Sequence, residues 1–287
     1  MDFFSGLESL GLKGFENLDI YGEEPAPVVD PEAERLQRLK NELEAEAQHL
    51  YDKSYTCPVC DKAFKSKVMK SNRAKLLNTD MDLRPIHQDI DSIKYDVVAC
   101  PHCGYAVLGR FFAPLTSVQI KNLKEAVASQ YTKKDTKNKV YSYDTAIERG
   151  KLALLASVIK NAKDSEKGYV CLKLAWLYRG KAEHLQDTEN VSKERAEFAE
   201  QELSFLRKAY DGLYRARQKE PFPICGMDEV TFDYLLAALA YRFDDYETSA
   251  RLVSGILTNK AAGVRVKEKT RELKEELKRR ILEIKKE

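Results

Sequence analysis

Two short stretches hold the residue types best suited to chemistry. "SYTCPVCDKAF", from Ser54 to Phe64, and "ACPHCGYAV", from Ala99 to Val107, each contain a Cys-Pro-X-Cys turn. A turn of this kind aims two sulfurs at one point, and two such turns complete a tetrahedral four-cysteine site. Cys57, Cys60, Cys100 and Cys103 are therefore the expected metal ligands. Zinc in a structural role suits them, because the ion stabilises the thiolates at neutral pH. Iron in a rubredoxin-like site would accept the same four ligands. Each knuckle also needs a residue that tolerates positive φ just after it. Gly104 meets that demand, and Asp61 is an acceptable substitute in the first knuckle.

Thirty-nine residues, 61 to 99, separate the two pairs, against about 15–20 in the common signature. Doubling a loop adds only about 0.6 kcal/mol of closure entropy, whereas structural zinc contributes roughly 10–16 kcal/mol of apparent binding energy. The metal outweighs the long insert. A redox dithiol pair is the weaker reading, since neither knuckle sits in an evident strand-to-helix redox setting.

Within the insert, Lys62 to Lys75 holds six bases and no acid. A basic strand beside a ribbon could contact phosphate, with Lys133, Lys134, Lys137 and Lys139 in support. No aromatics interleave with these lysines for base stacking, so a solvated strand edge guarded by lysine is favoured. Asp80, Asp82, His87, Asp89 and Asp91 follow. They lack the calcium-loop pattern, and turns and caps explain them better than a second metal. Cys225, in "PFPICGMDE", precedes a helix start that could lower its thiol pKa, yet no partnered histidine accompanies it. A structural thiol is expected there. His49 and His184 read as packed helix residues, His102 as outward-facing, and Trp176 and Tyr178 as helix-core residues. Zincin, phosphate-loop and nucleophile-elbow motifs are missing from the sequence, so a non-enzymatic protein is expected.

The elements that must position the knuckles are mostly helical. Asp30 and Pro31 start a helix assigned to 30–52. Thr116 and Gln119 stand in capping-box spacing ahead of Ile120, Leu123 and Val127. Further helices are predicted near 141–162, 166–187, 192–219, 228–243, 246–258 and 264–286. In the helix after Ser192, the apolar stripe is expected to be Ala196, Ala199, Leu203, Leu206, Tyr210 and Leu213, with Phe198 and Phe205 off it. "LAWLYRG" and "LAYRFDDYETSA" share a Leu/Ala-Tyr-Arg core. The second resembles a tetratricopeptide hairpin, with Asp245 and Tyr246 at the turn and small Ser249 and Ala250 for close contact. It departs from that pattern at Asp244, where glycine is usual. The fold class that follows is mainly α with a small β zinc ribbon, its tetratricopeptide-like hairpins stacked into a short solenoid. The domain reading is an acidic arm or linker over 1–29, a helix over 30–52, a ribbon over 53–114 and a helical domain over 115–287. A fragment from about 115 onward is expected to keep its helices without metal.

The 287 residues carry a formal net charge of only +2, which gives no global reason to seek nucleic acid. Residues 1–50 hold twelve acids and four bases, a local −8. The N-terminus lacks a basic, then apolar, secretory pattern, and "LALLASVI" is far shorter than the roughly 20 residues of a spanning helix. A cytoplasmic protein without membrane attachment is expected.

"KVMKSNR", "DMD", "YDVVACPHCGYA", "LAWLYR", and "FPICGMDE" followed by "YLL" occur in one order. Together they resemble the bacterial zinc-ribbon family called domain of unknown function 2225, from about Lys53 to the C-terminus. The resemblance implies a bacterial cytosolic protein with a four-cysteine ribbon and tetratricopeptide-like helices, and it supplies no activity. The expected function is a zinc-binding adaptor that meets a protein partner through its helical surface, its N-terminal arm, or both. The alternative is a nucleic-acid-binding ribbon that uses the basic insert.

Overall fold

The computed structural model describes residues 7–12, 31–71, 73–133, 138–185 and 191–284. The chain divides into two compact units, Met1–Glu44 and Ala45–Glu287. In the first unit the described residues form a 3-10 turn at Leu7–Leu10 and most of helix α1 (Pro31–Gln48). Glu32 and Glu34 sit in the first turn of α1, where negative charge favours a helix start. The rest of the arm, including Phe3 and Phe4, lies outside the described residues.

The helix assigned to 30–52 ends early, at Gln48. Leu50 and Tyr51 instead open strand β1 (Leu50–Thr56). Their backbones pair with Met69 and Val68 of β2 (Ala63–Met69), partners that no local helical pattern could reveal. His49 consequently lies in the turn between helix and strand. His184 likewise caps a helix end rather than sitting inside one.

Among the described residues, three antiparallel hairpins build the β portion of the second unit. β1 pairs with β2, β3 (Leu76–Thr79) with β4 (Pro85–His87), and β5 (Val97–Ala99) with β6 (Ala106–Leu108). On β2 the two-residue period buries Phe64 and Ser66 and leaves Lys65 exposed.

The helices are α2 (Ser117–Leu123), α3 (Tyr143–Ile159), α4 (Asp164–Glu183), α5 (Val191–Lys219), α6 (Glu229–Arg242), α7 (Tyr246–Thr258) and α8 (Val264–Ile284). The Thr116–Gln119 capping box forms, and α2 runs on into a π-helical turn at Lys124–Ala128. Ser142, Asp228 and Asp245 cap α3, α6 and α7 by accepting from the N–H three residues on. Each cap satisfies a donor that the first helical turn leaves open.

Helix α4 is the hub. Every residue from Gly168 to Tyr178 is buried, as expected for a helix enclosed by neighbours. It crosses α5 where a Cβ on Gly168 would lie 3.0 Å from the Leu213 nitrogen, and one on Gly212 3.1 Å from the Gly168 Cα. The two backbones touch there. The stripe expected on α5 holds only in its C-terminal half, where Leu206, Tyr210 and Leu213 are buried. Ala196, Ala199 and Leu203 are exposed. Phe198 and Phe205 face Tyr178 instead, with ring centroids 6.3 and 5.7 Å away. Two bulky rings bury more apolar area than two alanines, and they set the rotation of that half.

The hairpins and helices share cores. Val97, Ala99, Ala106 and Leu108 pack with the buried faces of α3, α4, α5 and α6. The knuckle cysteines pack with Val59, Phe64, Tyr105, Val107, Leu123, Val127 and Ala156. Residues on both sides of position 114/115 contribute to each of these clusters.

Candidate metal centre

Each knuckle occupies the turn of a hairpin. Thr56 pairs with Ala63 below the first, and Ala99 with Ala106 below the second. The two turns are built alike. The Cys57 N–H donates to Lys62 O (3.0 Å) and the Asp61 N–H to Cys57 O (2.9 Å). In the second, the Cys100 N–H donates to Tyr105 O (2.8 Å) and the Gly104 N–H to Cys100 O (3.0 Å). The fifth residue of each turn is left-handed, Asp61 at φ 58° and Gly104 at φ 72°. Glycine is required at only one of them. A Cβ on Gly104 would lie 2.4 Å from the Tyr131 ring.

All four ligand sulfurs lie within 4.8 Å of one another and could hold a metal ion. The closest approaches run between knuckles, Cys57 to Cys103 at 3.6 Å and Cys60 to Cys100 at 3.7 Å. A tetrahedral thiolate site with bonds of about 2.3 Å places its sulfurs roughly 3.8 Å apart. A disulfide would need about 2.05 Å. The spacing thus fits a shared ion and excludes bonded pairs. Cys57, Cys100 and Cys103 are buried and Cys60 is half-buried, so one edge of the cluster meets solvent.

Crowding shapes the protonation. Hydrogen bonds from the Cys103 and Cys57 thiols pull the Cys100 thiol down to about 4. The Cys103 thiol is driven upward by Cys100, by Cys57 and by burial. One negative charge is easily held, and more require a cation among the sulfurs.

Three acids of the insert, Asp80, Asp82 and Asp91, are committed to structure. Asp82 takes the Trp176 indole N–H at 2.9 Å and Arg179 at 2.7 Å, and Asp80 takes Arg179 at 2.8 Å and Arg84 at 2.7 Å. Arg84 also forks onto Glu183 at 2.7 and 2.9 Å, and Arg179 reaches Glu202 at 2.8 Å. Asp91 caps the 3-10 turn Ser92–Tyr95 by accepting from the Ile93 N–H. The lowered thiol considered for Cys225 is reversed. Burial pushes it up to about 12, and its Sγ faces Ser165 O at 3.4 Å. His102 is near Ala63 O at 3.4 Å on the surface and contributes no ligand atom to the cluster.

A family model described as an uncharacterized protein conserved in bacteria, DUF2225, matches residues 50–277. The chain belongs to the DUF2225 family. The DUF2225 match begins at the first residue of β1 and spans all four cysteines. Two of the motifs behind the resemblance, "DMD" and "LAWLYR", meet through Asp80, Asp82, Trp176 and Arg179. No curated protein and no solved structure matches this DUF2225 chain. Among the described residues, no helix is long and apolar enough to cross a membrane.

Sequence reading missed Arg149. It lies on the buried stripe of α3 with Ala146, Gly150, Ala153 and Ala156. A cation on an apolar helical period was the available signal.

Proposed function

We propose that the four cysteines hold one structural zinc ion and that the protein is a non-enzymatic interaction module of the bacterial cytoplasm. The observation that carries this is the sulfur cluster, with cross-knuckle distances of 3.6 and 3.7 Å. Four protein ligands fill a tetrahedral ion, and a closed site of this kind is structural rather than catalytic. The ion fastens the β1–β2 hairpin to the β5–β6 hairpin. Tetratricopeptide-like hairpins are the proposed partner-binding scaffold. Support comes from α6 and α7, where Asp244 is left-handed at φ 59° and Ser249 donates to Ala237 O at 2.9 Å across the pair. Leu76, Leu77 and Met81 are exposed on the β3–β4 hairpin, and they offer an apolar contact surface beside these helices.

The nucleic-acid alternative has less support. Lys67 pairs with Asp52 at 3.1 Å, and Lys70 donates to Gln48 O at 2.9 Å. Affinity capture from the native bacterium separates the two. Replacing Leu76, Leu77 and Met81 with Ser, or Phe3, Phe4 and Leu7 with Ala, should remove the captured partner while zinc stays at one equivalent. Sub-micromolar RNA or DNA binding at roughly 150 mM salt, lost on charge reversal of Lys62 to Lys75, would replace the adaptor reading.

A further inference from the structure

Cations buried in this fold meet carboxylates. Arg84 pairs with Asp80 and Glu183 at 2.7 Å each, Lys160 with Glu166 at 2.6 Å, and Lys173 with Asp96 at 2.7 Å. Lys94 pairs with Glu46. Arg149 breaks the pattern. It is 9% exposed, and among the described residues no carboxylate pairs with it. Its Nη2 donates to Ser66 Oγ at 2.8 Å and Val97 O at 2.7 Å, and the Tyr141 ring lies 4.4 Å from the guanidinium. Its Nε is buried without a partner. Burial pulls its pKa below the ordinary value, the direction taken by a cation lacking a counter-charge. Ser, carbonyl and ring contacts hold the side chain in place but bring no negative charge to it.

Arg149 lines a cleft of about 640 Å³, within the roughly 300–1,000 Å³ of small-molecule sites. Lys65, Lys67 and Lys151 line it too, against two acids, Asp52 and Glu148. Lys67 is paired with Asp52. Lys65 and Lys151 have no carboxylate partner among the described residues. Tyr141, Leu152 and Leu155 supply an apolar wall. Among the described lining residues, four cations against two acids leave an excess of two, the charge a phosphate monoester carries near neutral pH.

We propose that this cleft binds a small phosphate monoester. Its phosphate meets Arg149, Lys65 and Lys151, and its organic moiety lies against Tyr141, Leu152 and Leu155. Arginine's planar fork suits phosphate oxygens, and lysines add point charge. Asp52 and Glu148 disfavour a longer polyanion on the same floor. Cys100 and Pro101 also line the cleft, so the second knuckle contributes to its wall.

The test is calorimetric titration of the full-length, metal-loaded chain with inorganic phosphate, adenosine monophosphate, adenosine and a ten-nucleotide single strand. Both phosphate probes should bind, the monophosphate more tightly, with adenosine at least tenfold weaker than its monophosphate. Arg149→Met should weaken binding at least tenfold. Should that variant fail to fold, Lys65→Glu with Lys151→Glu, both on exposed side chains, should give the same loss. Absence of heat with both phosphate probes up to roughly 10 mM overturns the proposal. So does equal binding of adenosine, unchanged affinity in the Lys65/Lys151 variant, or tighter binding of the oligonucleotide than of the monophosphate.

Discussion

The Trp176 indole donates a 2.9 Å hydrogen bond to Asp82, ninety-four residues earlier in the chain. Asp82 also receives Arg179 at 2.7 and 3.0 Å. Asp82 thus joins Asp80 and Arg84 in anchoring the insert between the knuckles to the central helix α4. Removing Asp82 leaves the buried Trp176 N–H without its acceptor, at about 1–3 kcal/mol, while Arg179 keeps Asp80 and Glu202. Asp82→Ala should cost that much in urea unfolding, and Asp82→Asn less. A loss below about 1 kcal/mol would mean that the insert is held elsewhere.

Acid should loosen the same anchor late. Burial alone would raise the Asp80 carboxyl, but hydrogen bonds from Arg179 and Arg84 outweigh it and hold the pKa below 3.8. A depressed folded-state pKa stabilises above the unfolded value, and that stability is lost as pH falls through the folded one. Stability should therefore be insensitive to this group above about pH 4.5 and fall below it. Asp80→Asn should flatten the acid limb of a stability–pH profile; an unchanged limb would remove Asp80 from the account.

Gly104 and Asp61 occupy equivalent turn positions and should respond oppositely to substitution. Gly104→Ala meets both a left-handed backbone and the Tyr131 ring, so a loss of at least about 2 kcal/mol is expected. Asp61→Gly should be neutral or raise stability by up to about 1 kcal/mol. Chemical unfolding of the two metal-loaded variants checks the contrast, and equal effects would refute it.

Cys171 and Cys225 should be inert. Burial raises their thiols to about 11 and about 12, and the thiol form is a poor nucleophile. Native protein at pH 8 should leave both unlabelled by iodoacetamide, while urea-unfolded protein labels fully. Peptide mass spectrometry reads the difference, and rapid native labelling of Cys225 would restore a chemical role for it.

Local signals carried much of the architecture. The knuckles, the Thr116 capping box and the spans of α3 to α8 follow from residues a few positions apart, where caps and apolar periods act. What escaped is non-local. Leu50 and Tyr51 become strand because of Met69 and Val68, and no helical period reports that pairing. Asp80 and Asp82 do lie at the β3–β4 turn, but their partners, Arg179 and Trp176, lie about a hundred residues on and leave no local trace. The cysteines' surroundings are non-local too: Leu123, Val127 and Ala156 complete them from beyond position 114.

The order of the closures along the chain has a consequence for biosynthesis. Cys103, the last sulfur, precedes Trp176 by seventy-three positions. At about 5–20 residues per second, translation completes the sulfur set roughly 4–15 s before the indole that grips Asp82 is made. During that interval an ion bound by the four sulfurs would add to the packing of Val59, Phe64, Tyr105 and Val107 in holding the two hairpins together. With zinc bound as proposed, metal supply during synthesis, rather than affinity at the end of it, would govern how much of the chain reaches a state onto which α4 can dock.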